Sequence, residues 1–273
     1  MGGQMMFSND TCTGSIYALV PPTSTLHKGS VNHGQFASHP EWYSLLPRTP
    51  ATPFGSGDGR ECIDDPSGCV RSWNISEKGV PGEPGFASLC MSNPGMRQYM
   101  ADEALRKLRW DQKHLGGVQL LNLAPNDATD DGLCHCAACV AHRERDRADP
   151  PCAARPGGCG SSAGLTARKY RGAAGLSLEV ASELKGAIAA EFPDVDVWMQ
   201  SYHAMLQPPK ITKPANGVKV QFTTLHQNFG QPLAHPSNNL TYSQLMGWSK
   251  LMPKGNLVIW DYVTSECSNG RLG

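Results

Sequence analysis

One stretch constrains this chain more than any other. The run Val118-Gln119-Leu120-Leu121-Asn122-Leu123-Ala124 stops at Pro125-Asn126-Asp127, and after six intervening residues the chain enters a Cys134-His135-Cys136-x-x-Cys139 knot. A short apolar run bounded by turn residues is the pattern of a strand buried on both faces of a parallel sheet. Such sheets carry their sites just past the carboxyl ends of the strands. Asp127 therefore stands where chemistry is expected.

The same kind of run recurs along the chain. Strands are expected at Ser15–Val20, Phe86–Cys90, Val195–Gln200, Val218–Phe222 and Leu257–Trp260. Between them, Asn93 as cap and Pro94 at the first helical position open a helix to about Trp110, with Met96, Met100, Ala104, Leu105 and Leu108 on one face. Further helices are expected from Cys136 to Arg147, Leu176 to Phe192 and Tyr242 to Leu251. Residues 47–84 and 149–172 carry many Pro and Gly and are expected to be long loop insertions. Strands alternating with helices predict an α/β fold with a parallel sheet, and a TIM-barrel-like (β/α)8 arrangement better than a doubly wound one. No Gly-rich phosphate loop follows any strand, so dinucleotide and NTP readings fall away and no cofactor is assigned.

Length and charge narrow the partners. All 273 residues are expected to form a single domain with an ample core. Basic and acidic residues balance, 24 against 24, with no basic stripe, which argues against nucleic acid as partner. No apolar run approaches the roughly 18 residues of a membrane span. No signal peptide is visible in MGGQMMFSND. Ten cysteines and the sequons at Asn9, Asn74 and Asn239 nevertheless lean towards an extracellular or secretory compartment. Together with the abrupt end at Gly273, this creates the expectation that the chain is a fragment of a longer protein, its barrel incomplete at the C-terminal end.

Five motifs occur in order: His39-Pro40-Glu41-Trp42-Tyr43, Leu89-Cys90-Met91-Ser92-Asn93-Pro94, Asn126-Asp127, Cys134-x-Cys136-x-x-Cys139 and Ile259-Trp260-Asp261-Tyr262. In this combination the chain resembles the domain of unknown function found in large secreted proteins alongside α-glucuronidase-like and hexosaminidase-like glycoside hydrolase modules. The resemblance implies a TIM-barrel-like fold that acts on or binds polysaccharide or oligosaccharide. Where the family usually has Gly or Trp after the Asn-Asp pair, this chain has Ala128-Thr129-Asp130-Asp131.

Cleaving a glycosidic bond takes two carboxyl groups, one donating a proton and one acting as nucleophile or activating water. Asp127 and Asp261 both fall just past expected strand ends, counted as the fourth and seventh, and form the candidate catalytic pair. Retaining barrel glycosidases of one large clan are similar in placing their acid and nucleophile after those two strands. They use Glu at both positions, and the shorter Asp pair favours a wider gap and an inverting outcome. The plainer alternative is that Asp127 caps a turn and Asp261 bonds backbone. Glu41 is a candidate second carboxylate or substrate contact. Trp42, Tyr202, Trp260 and Tyr262 are candidate sugar-stacking rings, or else core residues. Asn126, His203 and His226 complete the candidate substrate-binding set. Without cleavage, the same scaffold would be a carbohydrate-binding or structural extracellular module.

The cysteines leave two readings open. Cys90, Cys134, Cys136 and Cys139 have the ligand count of a structural Zn²⁺ site, but a one-residue Cys-x-Cys spacing is short for a zinc knuckle, and the sequons favour disulfides. Metal is accordingly not assigned. Cys62–Cys69 and Cys152–Cys159 each enclose six residues and are expected to pair locally.

Overall fold

A computed structural model describes residues 34–48, 60–73, 87–117, 120–123, 132–147, 172–224 and 227–261. Six strands are present among them: β1 (Ser44–Pro47), β2 (Cys69–Ser72), β3 (Leu120–Leu123), β4 (Asp196–Ser201), β5 (Val218–Thr223) and β6 (Leu257–Trp260). The helices are α1 (Glu61–Asp64), α2 (Pro94–Leu115), α3 (Ala137–Arg145), α4 (Ala173–Ile188) and α5 (Asn239–Leu251).

β3, β4, β5 and β6 form a parallel sheet in that order, with Leu121 opposite Val197, Val197 opposite Val218, and Val220 opposite Leu257. The class is α/β. Neighbours in sequence are neighbours in the sheet, as short right-handed crossovers favour. β1 and β2 make a separate antiparallel pair.

Each helix has a local cause. Asn93 Oδ1 accepts the N–H of Met96 at 3.0 Å, and Pro94 needs no donor of its own at the first position. α2 continues past Trp110 to Leu115 because nothing breaks it before Gly116, which ends it at φ 76°. Its buried face is Met96, Met100, Ala104 and Leu108, one residue per turn. α4 is buried over most of its surface and packs against α2, α3 and β4, so it is the central helix of the core. Lys185 is buried on it and donates to the carbonyls of Pro193 and Val195, both at 2.7 Å. Trp248 of α5 is fully buried and donates its indole N–H to Leu206 O at 2.9 Å.

Several expectations change. The 47–84 stretch is not loop throughout: it holds α1, a 3-10 turn at Pro66–Gly68 and β2. The expected Cys62–Cys69 disulfide closes that piece, and Asp65 caps its turn by accepting from the N–H groups of Ser67 and Gly68. In the expected Phe86–Cys90 strand, Leu89 makes one antiparallel bridge to Tyr43 and no parallel pairing is present among the described residues. A small side chain ties these segments. Ser44 Oγ lies 2.7 Å from Ser88 O and 2.8 Å from Gly132 O. The expected strand at 15–20 and the Cys152–Cys159 pair lie outside the described residues, as does 149–171 of the second loop.

Candidate functional site

α2, α4 and α5 each run into β3, β4 and β6 through short links, so their N-termini stand at the sheet's carboxyl end. Tyr202, Thr224 and Asp261 directly follow β4, β5 and β6 there. Hydroxyls lace this rim from strand to strand. Thr223 Oγ1 donates to Ser201 O at 2.9 Å, and Ser201 Oγ donates to Met205 O at 3.0 Å. Thr224 donates its N–H to Trp260 O at 3.2 Å and its Oγ1 hydroxyl to Asp261 Oδ1 at 2.9 Å. Asp261 is exposed, and the Thr224 hydroxyl fixes one of its two oxygens. Thr224 was not singled out from the sequence. Its only signal there is its place immediately after an apolar run.

The other predicted residues divide. Trp260, at the end of β6, is 42% exposed, and Tyr202 is half-buried. Trp42 belongs to the core at 8% exposure, its ring stacked on His39 at 3.9 Å and tilted against Tyr99 at 5.0 Å. That packing fits the core alternative rather than a sugar platform. Glu41 is exposed and sits 3.1 Å from His39 Nδ1. Its own backbone N–H, and after it His39, hold its carboxyl below the usual range. His203 opens the 3-10 turn after β4, and its side chain lies outside the described set. Asn126, Asp127, His226 and Tyr262 lie outside the described residues. A cavity of about 310 Å³ lies between α2 and α4, lined by Arg97, His142 and Glu183 among others, and Asp261 is not among its lining residues.

The second constellation is sulfur. Cys90, Cys134, Cys136 and Cys139 are unpaired thiols whose Sγ atoms all lie within 4.8 Å of one another. Cys90 Sγ is 3.6 Å from Cys136 Sγ and 3.9 Å from Cys139 Sγ. The disulfides favoured for this group are therefore not formed. Local structure explains the clustering. Cys136 is the N-cap of α3 and Cys139 lies in its first turn, so both belong to the helix end whose dipole favours negative charge. Cys134 and His135 precede the helix, and successive side chains of extended backbone point opposite ways. His135 turns away to Glu61, Nδ1 to Oε2 2.9 Å, while Cys134 and Cys136 share the other side. Cys90 arrives from the link before α2.

Polar groups surround the sulfurs. The Leu45 N–H donates to Cys134 Sγ at 3.3 Å. Arg71 Nη1 lies 3.6 Å from the same sulfur and donates to Tyr43 O at 2.7 Å. Ser92 Oγ is 3.0 Å from Cys139 Sγ and 3.5 Å from Cys136 Sγ. Burial pushes the Cys134 thiol up, whereas hydrogen bonding with Cys134 is the leading cause pulling Cys136 and Cys90 down, Cys90 to about 6.

A family model described as Domain of unknown function (DUF4838) matches residues 8–267. The chain belongs to the DUF4838 family. No curated protein and no solved structure matches it. The DUF4838 match spans the whole sulfur group and the carboxyl rim with Asp261.

Proposed function

We propose that this DUF4838 chain is a carbohydrate-active domain, a glycoside hydrolase that uses Asp127 and Asp261 across the carboxyl rim of a (β/α)8 barrel. The observation that carries the reading is Asp261: an exposed carboxylate one residue beyond a parallel strand, steadied by Thr224 and preceded in the chain by the exposed Trp260. The strand order adds support. Asp127 and Asp261 follow β3 and β6, three places apart in the sheet, which is the separation of a fourth and a seventh strand. Asp127 serves as proton donor and Asp261 as nucleophile or base. Tyr202, Trp260 and Tyr262 contact sugar faces, with Asn126, His203, His226 and Glu41 around them. The Cys62–Cys69 disulfide is compatible with an extracellular site of action.

The exposed Trp260 ring favours one second reading, a non-catalytic carbohydrate-binding module. A panel of chromogenic glycosides and oligosaccharides distinguishes the two. Hydrolysis by the parent chain that falls by about 10²- to 10⁴-fold in both Asp127→Asn and Asp261→Asn supports cleavage. Binding without turnover, unchanged in those variants and lost in Trp260→Ala, supports the module instead.

A further inference from the structure

We propose that Cys90, Cys134, Cys136 and Cys139 hold one tetrahedral Zn²⁺ ion that fastens the start of α2 to the start of α3.

The geometry is that of a coordination sphere and not of disulfides. Four sulfurs about 2.3 Å from a shared zinc stand about 3.8 Å from one another along the edges of a tetrahedron. The Cys90 contacts of 3.6 and 3.9 Å bracket that edge, and no Sγ pair exceeds 4.8 Å. A disulfide would bring two sulfurs to about 2.05 Å and push that pair away from the others. A multi-iron cluster places its own sulfides between the thiolates, which contacts this short do not accommodate. A single ion with four soft ligands remains, and tetrahedral S₄ is a zinc arrangement.

The surroundings suit the charge. Four thiolates around a divalent cation carry a net charge of −2. The Arg71 guanidinium, the Leu45 N–H, the Ser92 hydroxyl and the N-terminus of α3 all face that excess. The alternation at Cys134-His135-Cys136 removes the objection to a one-residue spacing, because His135 is turned to Glu61. Zinc also reconciles a formed Cys62–Cys69 disulfide with four reduced thiols in one chain, since a metal-bound thiolate is withdrawn from disulfide exchange.

The site is structural, with all four positions filled by protein and no place for a substrate. It does not depend on the carbohydrate reading.

The test is metal analysis of the full chain, purified without chelator and with added Zn²⁺. One zinc per chain is expected, retained by a Cys62→Ser/Cys69→Ser variant and lost from Cys136→Ser/Cys139→Ser. Should the latter fail to fold, Co²⁺ exchanged into the parent chain decides: intense visible bands of tetrahedral cobalt with thiolate charge transfer are expected. Ser92→Ala should keep that spectrum and weaken the metal by about tenfold. Four alkylatable thiols in metal-free folded protein would overturn the proposal. So would disulfides mapped among these four cysteines, full zinc in the Cys136/Cys139 variant, or thiolate-bound iron in place of zinc.

Discussion

Thr212 grips Asp146 twice, its N–H donating to Oδ1 at 2.8 Å and its hydroxyl to Oδ2 at 2.7 Å. The Ile211 N–H adds a third bond at 3.0 Å, and Arg145 lies 3.1 Å from Oδ2. Asp146 is fully buried and thereby joins the end of α3 to the segment between β4 and β5. Burial pushes its carboxyl up, but the Thr212 bonds, the Ile211 N–H and Arg145 outweigh it and hold the group below the usual range. A depressed carboxyl stabilises the fold above its unfolded value of about 3.9, and that contribution disappears as pH falls through the folded value. Asp146→Asn should cost about 2 kcal/mol at neutral pH. In denaturant titrations the gap between parent and variant should close in acid. A gap independent of pH would refute the assignment.

Gly172 and Gly116 test backbone constraint against open space. Both have positive φ, 88° and 76°. A Cβ on Gly172 would meet the Arg143 carbonyl oxygen at 2.1 Å, whereas one on Gly116 meets nothing within 4 Å. Gly116→Ala should therefore cost about 1–2 kcal/mol, the left-handed penalty alone. Gly172→Ala should cost clearly more, because backbone must move. Equal melting shifts for the two would contradict this.

The Cys62–Cys69 bond spans a sequence separation of 7. Loop-closure entropy for a ring of that size is about 2.5 kcal/mol. A Cys62→Ala/Cys69→Ala chain should unfold at correspondingly lower denaturant, and proteolysis should first nick residues 60–73. Uniform loss of protection across the chain would argue that the bond has a wider role.

Thr224 offers a probe of the rim. Thr224→Val removes the hydroxyl that orients Asp261 while keeping the branched shape in the strand exit. If the proposed hydrolase reading holds, turnover of a cleavable glycoside should fall between about ten- and a hundredfold, with Thr224→Ser close to the parent. Equal loss in both variants would point to packing instead of carboxylate orientation.

Local chemistry made most helices legible and left tertiary meetings hidden. Asn93-Pro94 announces α2, but apolar spacing fades near Trp110, whereas the helix stops only at Gly116. β2 is hidden in the sequence because Pro and Gly around it mask a four-residue strand whose partner, β1, lies more than twenty positions earlier. Leu89 and Cys90 looked like strand letters, yet one serves a single bridge and the other a sulfur cluster. The cluster itself was only half readable. Knot spacing suggested both metal and disulfides, and what separates them is the approach of Cys90, across 46 positions, to Cys136. Thr224 had no motif at all, because its role exists only where β5 lies beside β6.

Ser44 has one hydroxyl proton and two carbonyl neighbours, Ser88 and Gly132. The Ser88 N–H also donates to Gly132 O at 2.8 Å. Three stretches remote in sequence thus meet at one hydrogen-bonded joint. Ser88 stands two residues before Cys90, and Gly132 two residues before Cys134. That joint sets the spacing between the two backbones that deliver Cys90 and Cys134, two of the four gathered sulfurs.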